Sequence, residues 1–322
     1  MTPVIAFGEA LVDMLSSRLG DAGGPETFTP YAGGAPANVA VACARLGVPS
    51  RFLGMVGEDR FGRFLTAEMA SHGVDVSGVA TTAEARTALA FVSRDAHGER
   101  TFDFYRPPAA DLLFRLEHLP AGVFSTPAIV HLCSNSLTEE PIADTTLALA
   151  DIAQRSGSLV SVDANLRANL WPDGQVDIGR VTALLDRAQL VKLSVDEVEA
   201  LRGDHPVDAW ISQRLAAGVR LVVITDGARP VTVHRLDQRF EVAPPTVQAV
   251  DTTAGGDAFI GGLLAMLAEA DIDAADFADW CDDREQLHRA VQVACRCGAH
   301  AVTRPGAYAA LPSRDDLERL KD

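Results

Sequence analysis

Between residues 129 and 225, four short apolar runs alternate with segments of helical period. The runs at 129–132, 159–163, 190–193 and 221–225 are strand-sized. Helical patterning lies near 141–155, 181–187, 195–202 and 207–217. Parallel strands need a long crossover between them, and a helix is its usual form. The alternation therefore predicts an α/β fold with a mainly parallel sheet between helices. Upstream, 4–8 and 51–56 read as strands, and 36–46 and 61–72 as helices stopped by Gly47 and Gly73. An apolar run with strand character follows at 240–250, interrupted by Pro244 and Pro245, and then helices at 256–267, 284–301 and 314–320. The pattern changes only around 86–105. There Ala88-Leu89-Ala90-Phe91-Val92 and Arg100-Thr101-Phe102-Asp103-Phe104 flank Asp95-Ala96-His97-Gly98, a hairpin signal. With no repeat and no obvious linker, 1–322 reads as one domain carrying an inserted β element.

Composition narrows the partners. The net charge is −16, from 28 basic and 44 acidic residues, which argues against nucleic acid or an anionic membrane surface. The only lysines are Lys192 and Lys321, so binding of a phosphate must rest on backbone, arginine and metal. The opening MTPVIAFGEALVDM has no basic region or cleavage site, and no apolar stretch is long enough for a bilayer. The five cysteines lie mostly in apolar contexts and suit buried, reduced thiols in a cytoplasmic protein. Cys295-Arg296-Cys297 lacks a second ligand pair, so it reads as core rather than as a zinc site.

Two glycine clusters carry the chemistry. In Asp251-Thr252-Thr253-Ala254-Gly255-Gly256-Asp257, paired glycines stand where a loop becomes a helix. Amides at such a start face anions and carry the positive end of the helix dipole. Asp257 on the first turn suits a base that takes a proton from an attacking hydroxyl; it also suits a plain helix start. The second cluster is Gly33-Gly34-Ala35-Pro36-Ala37-Asn38-Val39-Ala40. Pro36 fits a first helical turn, and the Asn38 amide can both donate to and accept from vicinal hydroxyls, as a sugar requires. A Gly-Pro helix entry with a solvated Asn accounts for the same residues. Neither a GxxxxGK[ST] loop nor the three-glycine dinucleotide fingerprint is present.

Taken together, these clusters, with Gly47 and Gly57 after the first and Gly261-Gly262 after the second, resemble the PfkB, or ribokinase-like, family of carbohydrate kinases. The resemblance spans the chain. It implies a ribokinase-like three-layer α/β/α sandwich with a small β-sheet lid, formed from about 10–32 and 86–106. It also implies phosphorylation of a sugar hydroxyl from ATP with magnesium. Asp257 then corresponds to the general base, and Ala254, Gly255 and Gly256 to the anion hole, with Ala254 where the family carries glycine. Asp13, Gly33, Gly34 and Asn38 correspond to sugar contacts. Ser194 and Glu197 occupy the place of an Asn-x-x-Glu magnesium motif, Glu197 acting through water; Ser-x-x-Glu is equally a capping box. Thr225 and Gly227 resemble a nucleotide-phosphate turn, and Gly298 precedes a stretch, 299–306, that resembles the loop near adenine. Asp251 and Thr253 join that loop as candidates around a monovalent cation such as K+.

Phe104-Tyr105-Arg106-Pro107-Pro108-Ala109-Ala110-Asp111, Ser161-Val162-Asp163-Ala164-Asn165-Leu166-Arg167 and Asn169-Leu170-Trp171 are most similar to the bacterial fructokinase branch. The 2-keto-3-deoxygluconate and aminoimidazole riboside kinases lie close by. Phe104, Arg106 and Arg167 are therefore expected at the substrate, with Phe104 in place of a tyrosine favouring a neutral sugar. A catalytically silent sugar or nucleotide sensor is the reading from another class. The apolar face of the hairpin, with Leu89, Phe91, Phe102 and Phe104, implies a homodimer through the lid.

Overall fold

The computed structural model describes residues 1–18, 25–94 and 100–319. The expected turn at 95–98, residues 19–24 of the expected lid, and Leu320 and Lys321 lie outside them. Among the described residues thirteen strands run in chain order: β1 (Val4–Phe7), β2 (Leu11–Ser16), β3 (Phe28–Gly33), β4 (Ser50–Gly57), β5 (Asp75–Thr82), β6 (Leu89–Arg94), β7 (Arg100–Tyr105), β8 (Ile129–Cys133), β9 (Leu159–Asp163), β10 (Leu190–Ser194), β11 (Leu221–Asp226), β12 (Arg229–His234) and β13 (Arg239–Val242).

Nine of them form one sheet in the order β13-β12-β11-β10-β9-β8-β1-β4-β5. Pairing is parallel from β5 to β11 and antiparallel at the β12 and β13 edge. Every residue of β8 and of β9 is buried, because helices cover both faces. One face packs on helices Ala35–Arg45, Gly255–Glu269 and Arg284–Ala301. The other packs on Glu140–Arg155, Ile178–Leu185, Val195–Arg202 and Val207–Ala217. All five cysteines are buried and free, and burial raises the thiols of Cys43, Cys133, Cys281, Cys295 and Cys297. Among the described residues no helix is long and apolar enough to cross a membrane.

The strand expected over 240–250 is shorter than its apolar character suggests. The ladder ends at Val242, and Pro244 and Pro245, which have no N–H to donate, keep the following segment out of the sheet.

A second sheet has the order β3-β2-β6-β7. Its Leu11, Ala88 and Ala90 side, with Phe102 and Phe104, faces inward, so the four apolar residues expected on one hairpin face are split: strand alternation and the register put Leu89 and Phe91 on the other face. On its outer side Phe91 packs between Phe28 and Tyr105, ring centroids 5.0 Å apart in both pairs. Pro30 sits in β3, an edge strand, where the missing N–H is tolerated.

Helices Ala35–Arg45 and Gly255–Glu269 cross at close range. A Cβ at Gly261 would come within 2.5 Å of the Ala42 Cβ, so glycine there sets how near the two helix starts lie. That spacing brings the two glycine clusters together.

Candidate active site

The carboxyl ends of β1, β8 and β9 and the starts of both helices open onto a cavity of about 720 Å³. This is the edge where ligands of open α/β sheets bind. Leu11, Asp13, Phe102 and Phe104 of the small sheet form one wall; Glu9, Asn135, Asn165 and Asp257 line it from the large sheet's side.

Asp257 occupies the third position of helix Gly255–Glu269, after the N-cap residue Ala254. Its carboxylate accepts from two amides: Asn38 Nδ2 donates to Oδ2 at 2.6 Å, and Asn165 Nδ2 to Oδ1 at 3.2 Å. Burial raises its pKa from 3.8 to about 6; Asn38 opposes the rise, the Asp163 charge adds to it, and Lys192 and Arg167 oppose it. A carboxylate in that state is largely ionised at neutral pH yet basic enough to accept a proton. Asn165 reaches it from a backbone with φ of 40°, a left-handed conformation that Asn tolerates better than most residues.

The helix bearing Asn38 starts at Gly34, whose φ is 103°. A Cβ there would lie 2.5 Å from the Glu9 carbonyl oxygen and 2.9 Å from Ala10 Cα, so glycine is required twice over. Gly33 leaves room for Asp13, whose Oδ2 is 2.6 Å from where a Gly33 Cβ would stand. Ala254, by contrast, has φ of −104°, which any residue adopts. The loss of the expected glycine therefore strains nothing in the backbone. Gly255 and Gly256 open the helix, and their amides belong to the first turn, which has no acceptor within the helix.

The other expected residues divide into those in the cavity wall and those behind it. Asp13, Gly34, Asn38, Phe104 and Arg167 line the cavity, as do Asp251 and Thr253. Phe104 stacks on Phe102. Arg106 is not in the wall. Its guanidinium is buried, paired with Asp111 at 2.7 Å and donating to the Asn135 carbonyl, so it braces the wall from behind. Ser194 and Glu197 form a complete capping box, Ser194 Oγ accepting from Glu197 N and Glu197 Oε2 from Ser194 N. Glu197 Oε1 accepts from Leu166 N at 2.8 Å. Thr225 donates its hydroxyl to the Leu193 carbonyl, and Gly227, with φ of 56°, turns β11 into β12. Gly298 lies inside helix Arg284–Ala301 and packs against the Gly255 carbonyl. Asp251 ties the approach to the helix in place: Oδ1 accepts from the N–H and hydroxyl of Thr253, and Oδ2 from Gly306 N.

A family model described as pfkB family carbohydrate kinase matches residues 1–314. The chain belongs to the pfkB family of carbohydrate kinases. A fructokinase of Klebsiella pneumoniae is 39% identical over 315 residues, covering 97% of this chain and 97% of that protein. The structure of a fructokinase from Xylella fastidiosa with bound ATP is 44% identical, with a TM-score of 0.94 over 99% of this chain and 97% of that one. A Vibrio cholerae O395 fructokinase in fructose, ADP and calcium ion bound form is 35% identical, with a TM-score of 0.88 over 100% and 99% of the two chains. The ribokinase-like three-layer architecture expected from the sequence is the fold of this kinase.

Three residues near the kinase's Asp257, Glu9, Lys192 and Asp163, carry no role in the reading of the sequence. Glu9 accepts from Asn135 Nδ2 at 3.0 Å and from Ala35 N at 3.3 Å, and so joins the end of β1 to the Asn38 helix. Burial raises the Glu9 carboxyl although Arg106 opposes it. Lys192 and Asp163 form a buried ion pair, Nζ to Oδ2 at 2.8 Å. The position of a Gly256 Cβ lies 3.0 Å from that Nζ, which puts the pair beneath the helix start. A charged residue in the middle of Leu190-Val191-Lys192-Leu193 was the available signal.

Proposed function

We propose that this kinase transfers the γ-phosphoryl group of ATP to the primary hydroxyl of D-fructose, giving fructose 6-phosphate and ADP. The observation that carries the reading is Asp257: a buried carboxylate on a helix start, held by two amides, at the cavity wall. In this mechanism Asp257 accepts the proton of the hydroxyl as its oxygen attacks the γ-phosphorus in line, and the bond to the ADP oxygen breaks. The Gly255 and Gly256 amides, with Ala254 completing the turn, stabilise the charge on the transferring group. Asn38 and Asn165 hold Asp257 in place, and Asp13, Gly33 and Gly34 shape the sugar side. Thr225, Gly227 and the 299–306 stretch beyond Gly298 are assigned to the nucleotide.

Magnesium needs few protein ligands when phosphates supply the others. Glu197 fits that requirement. Each of its carboxylate oxygens accepts one backbone N–H and keeps a lone pair for a metal-bound water. When bound, the ion neutralises charge on the triphosphate. Ser194 is assigned the structural role of the cap alone. Asp251 and Thr253 order the loop that would border a monovalent cation such as K+.

A neutral sugar is favoured because Arg167 is the one cation among the described residues lining the cavity, Arg106 being spent on Asp111. The fructokinase relatives support the same choice. We assign the whole chain to one kinase unit, with about 10–32 and 86–106 as the lid, and to the cytoplasm. The outer lid surface of Phe28, Phe91 and Tyr105, the last 65% exposed, is assigned to a homodimer contact. An ADP-release screen over fructose, ketodeoxygluconate, ribose and aminoimidazole riboside tests the substrate. Fructose should give the highest kcat/KM. A higher value for another sugar would reassign the substrate, and sugar binding without ATP consumption would make the protein a sensor.

A further inference from the structure

Lys192 and Asp163 face each other across adjacent parallel strands, in register, on the sheet face that carries helix Gly255–Glu269. Lys192 is 5% exposed and Asp163 1%. Ordinary stability does not explain such a pair. A cation beneath a helix N-terminus opposes the helix dipole. Desolvating two charges costs about as much as their attraction returns, and an apolar pair of similar volume is commonly as stable. The Asp163 Oδ1 atom is, in addition, buried without a hydrogen-bond partner. What the pair does have is position. Lys192 Nζ abuts Gly256, the residue before Asp257, and its charge interacts with Asp163, Glu197 and Asp257.

We propose that the buried Lys192–Asp163 pair is the electrostatic support of the Asp257 base: Lys192 holds Asp257 as a carboxylate and sets positive charge behind the turn that receives the phosphoryl group, while Asp163 holds Lys192 there. Both are positioning residues, since neither lines the cavity. The inference rests on the kinase reading above. The two charges act on Asp257 with opposite sign, Asp163 raising its proton affinity and Lys192 lowering it. Arg167, from the loop after β9, also acts on Asp257, and the carboxyls of Glu9, Asp13 and Asp251 line the same cavity; Asn38 and Asn165 are neutral. Behind Lys192 lies His131 of β8, which burial and the Lys192 charge hold neutral, with a pKa lowered to about 3.

The opposed signs give a test that a merely structural pair would fail. The acid limb of the kcat/KM profile for fructose should move up in Lys192→Met by roughly one pH unit or more, and down in Asp163→Asn. In the double variant K192M/D163N it should return close to the wild-type position. If Lys192→Met does not fold, the Asp163→Asn and double variants still give the comparison. A limb that stays put in the folded variants, whatever happens to kcat, overturns the proposal. Infrared difference spectra against Asp257→Asn read the same carboxyl without substrate. They should follow the same order of shifts, and an unmoved Asp257 band would overturn the proposal even if the enzyme's substrate were another sugar. Loss of the kinase reading itself would appear separately, as full turnover in Asp257→Asn.

Discussion

Replacing Asp257 by Asn should make the folded protein more stable at neutral pH. The carboxyl is only 6% exposed, and burial is the main cause of its rise from 3.8 to about 6. The folded state therefore binds this proton more tightly than the unfolded chain does. Its contribution to stability is fully present below the unfolded value, near 4, and is lost as pH climbs through about 6. A gap of about two units corresponds to a penalty of about 3 kcal/mol once the group is ionised in both states. Asn has nearly the same shape and no charge to bury. Its NH2 needs an acceptor, and the Oδ1 atoms of Asn38 and Asn165, buried without partners, can supply one if either amide turns over. Urea unfolding of both proteins at about pH 7.5 and about pH 4.5 reads the effect. Asp257→Asn should gain about 3 kcal/mol on wild type at the higher pH and only about 1 kcal/mol at the lower. A variant that is no more stable at pH 7.5 than at pH 4.5, relative to wild type, would refute the claim that the site holds a strained, buried carboxylate. The expected gain would place the base among active-site groups kept at the expense of stability.

Three further outcomes are expected. Gly34→Ala must leave φ of 103° and move away from the Glu9 carbonyl, so it should cost about 2–4 kcal/mol in a denaturation midpoint and disturb Asn38. Wild-type stability would show that the loop adapts freely. Ala254→Gly should leave kcat within about twofold, because Ala254 already has an unstrained φ of −104°; a tenfold gain would show that its methyl group obstructs the anion hole. Phe91→Ser on the outer lid surface should weaken a dimer in sedimentation; a wild type that sediments as a monomer at every concentration would refute the lid contact.

Much of the architecture was legible because period reports it directly. The runs from 129 to 225 became β8 to β11 and their crossover helices, since each strand is almost wholly buried and mainly apolar, with helical period between them. β2 and β3 escaped that reading: Asp13 interrupts one and Pro30 the other, and only pairing with the hairpin makes them strands. At the site, Asp257 and Asn38 could be singled out because glycines marked their helix starts. Arg106 was drawn toward the substrate by its neighbours in sequence, whereas its position is decided by Asp111, whose carboxylate it meets in the interior. Asn165 depends on a left-handed backbone, and the Lys192–Asp163 pair on the register of two strands separated by a helix. None of these is written in local spacing.

The most direct test of Asp257 as the base is the turnover of Asp257→Asn with ATP and fructose, alongside fructose binding measured without ATP. A drop in kcat of at least about a hundredfold with fructose binding largely kept is the expected result. Near-normal turnover would contradict it.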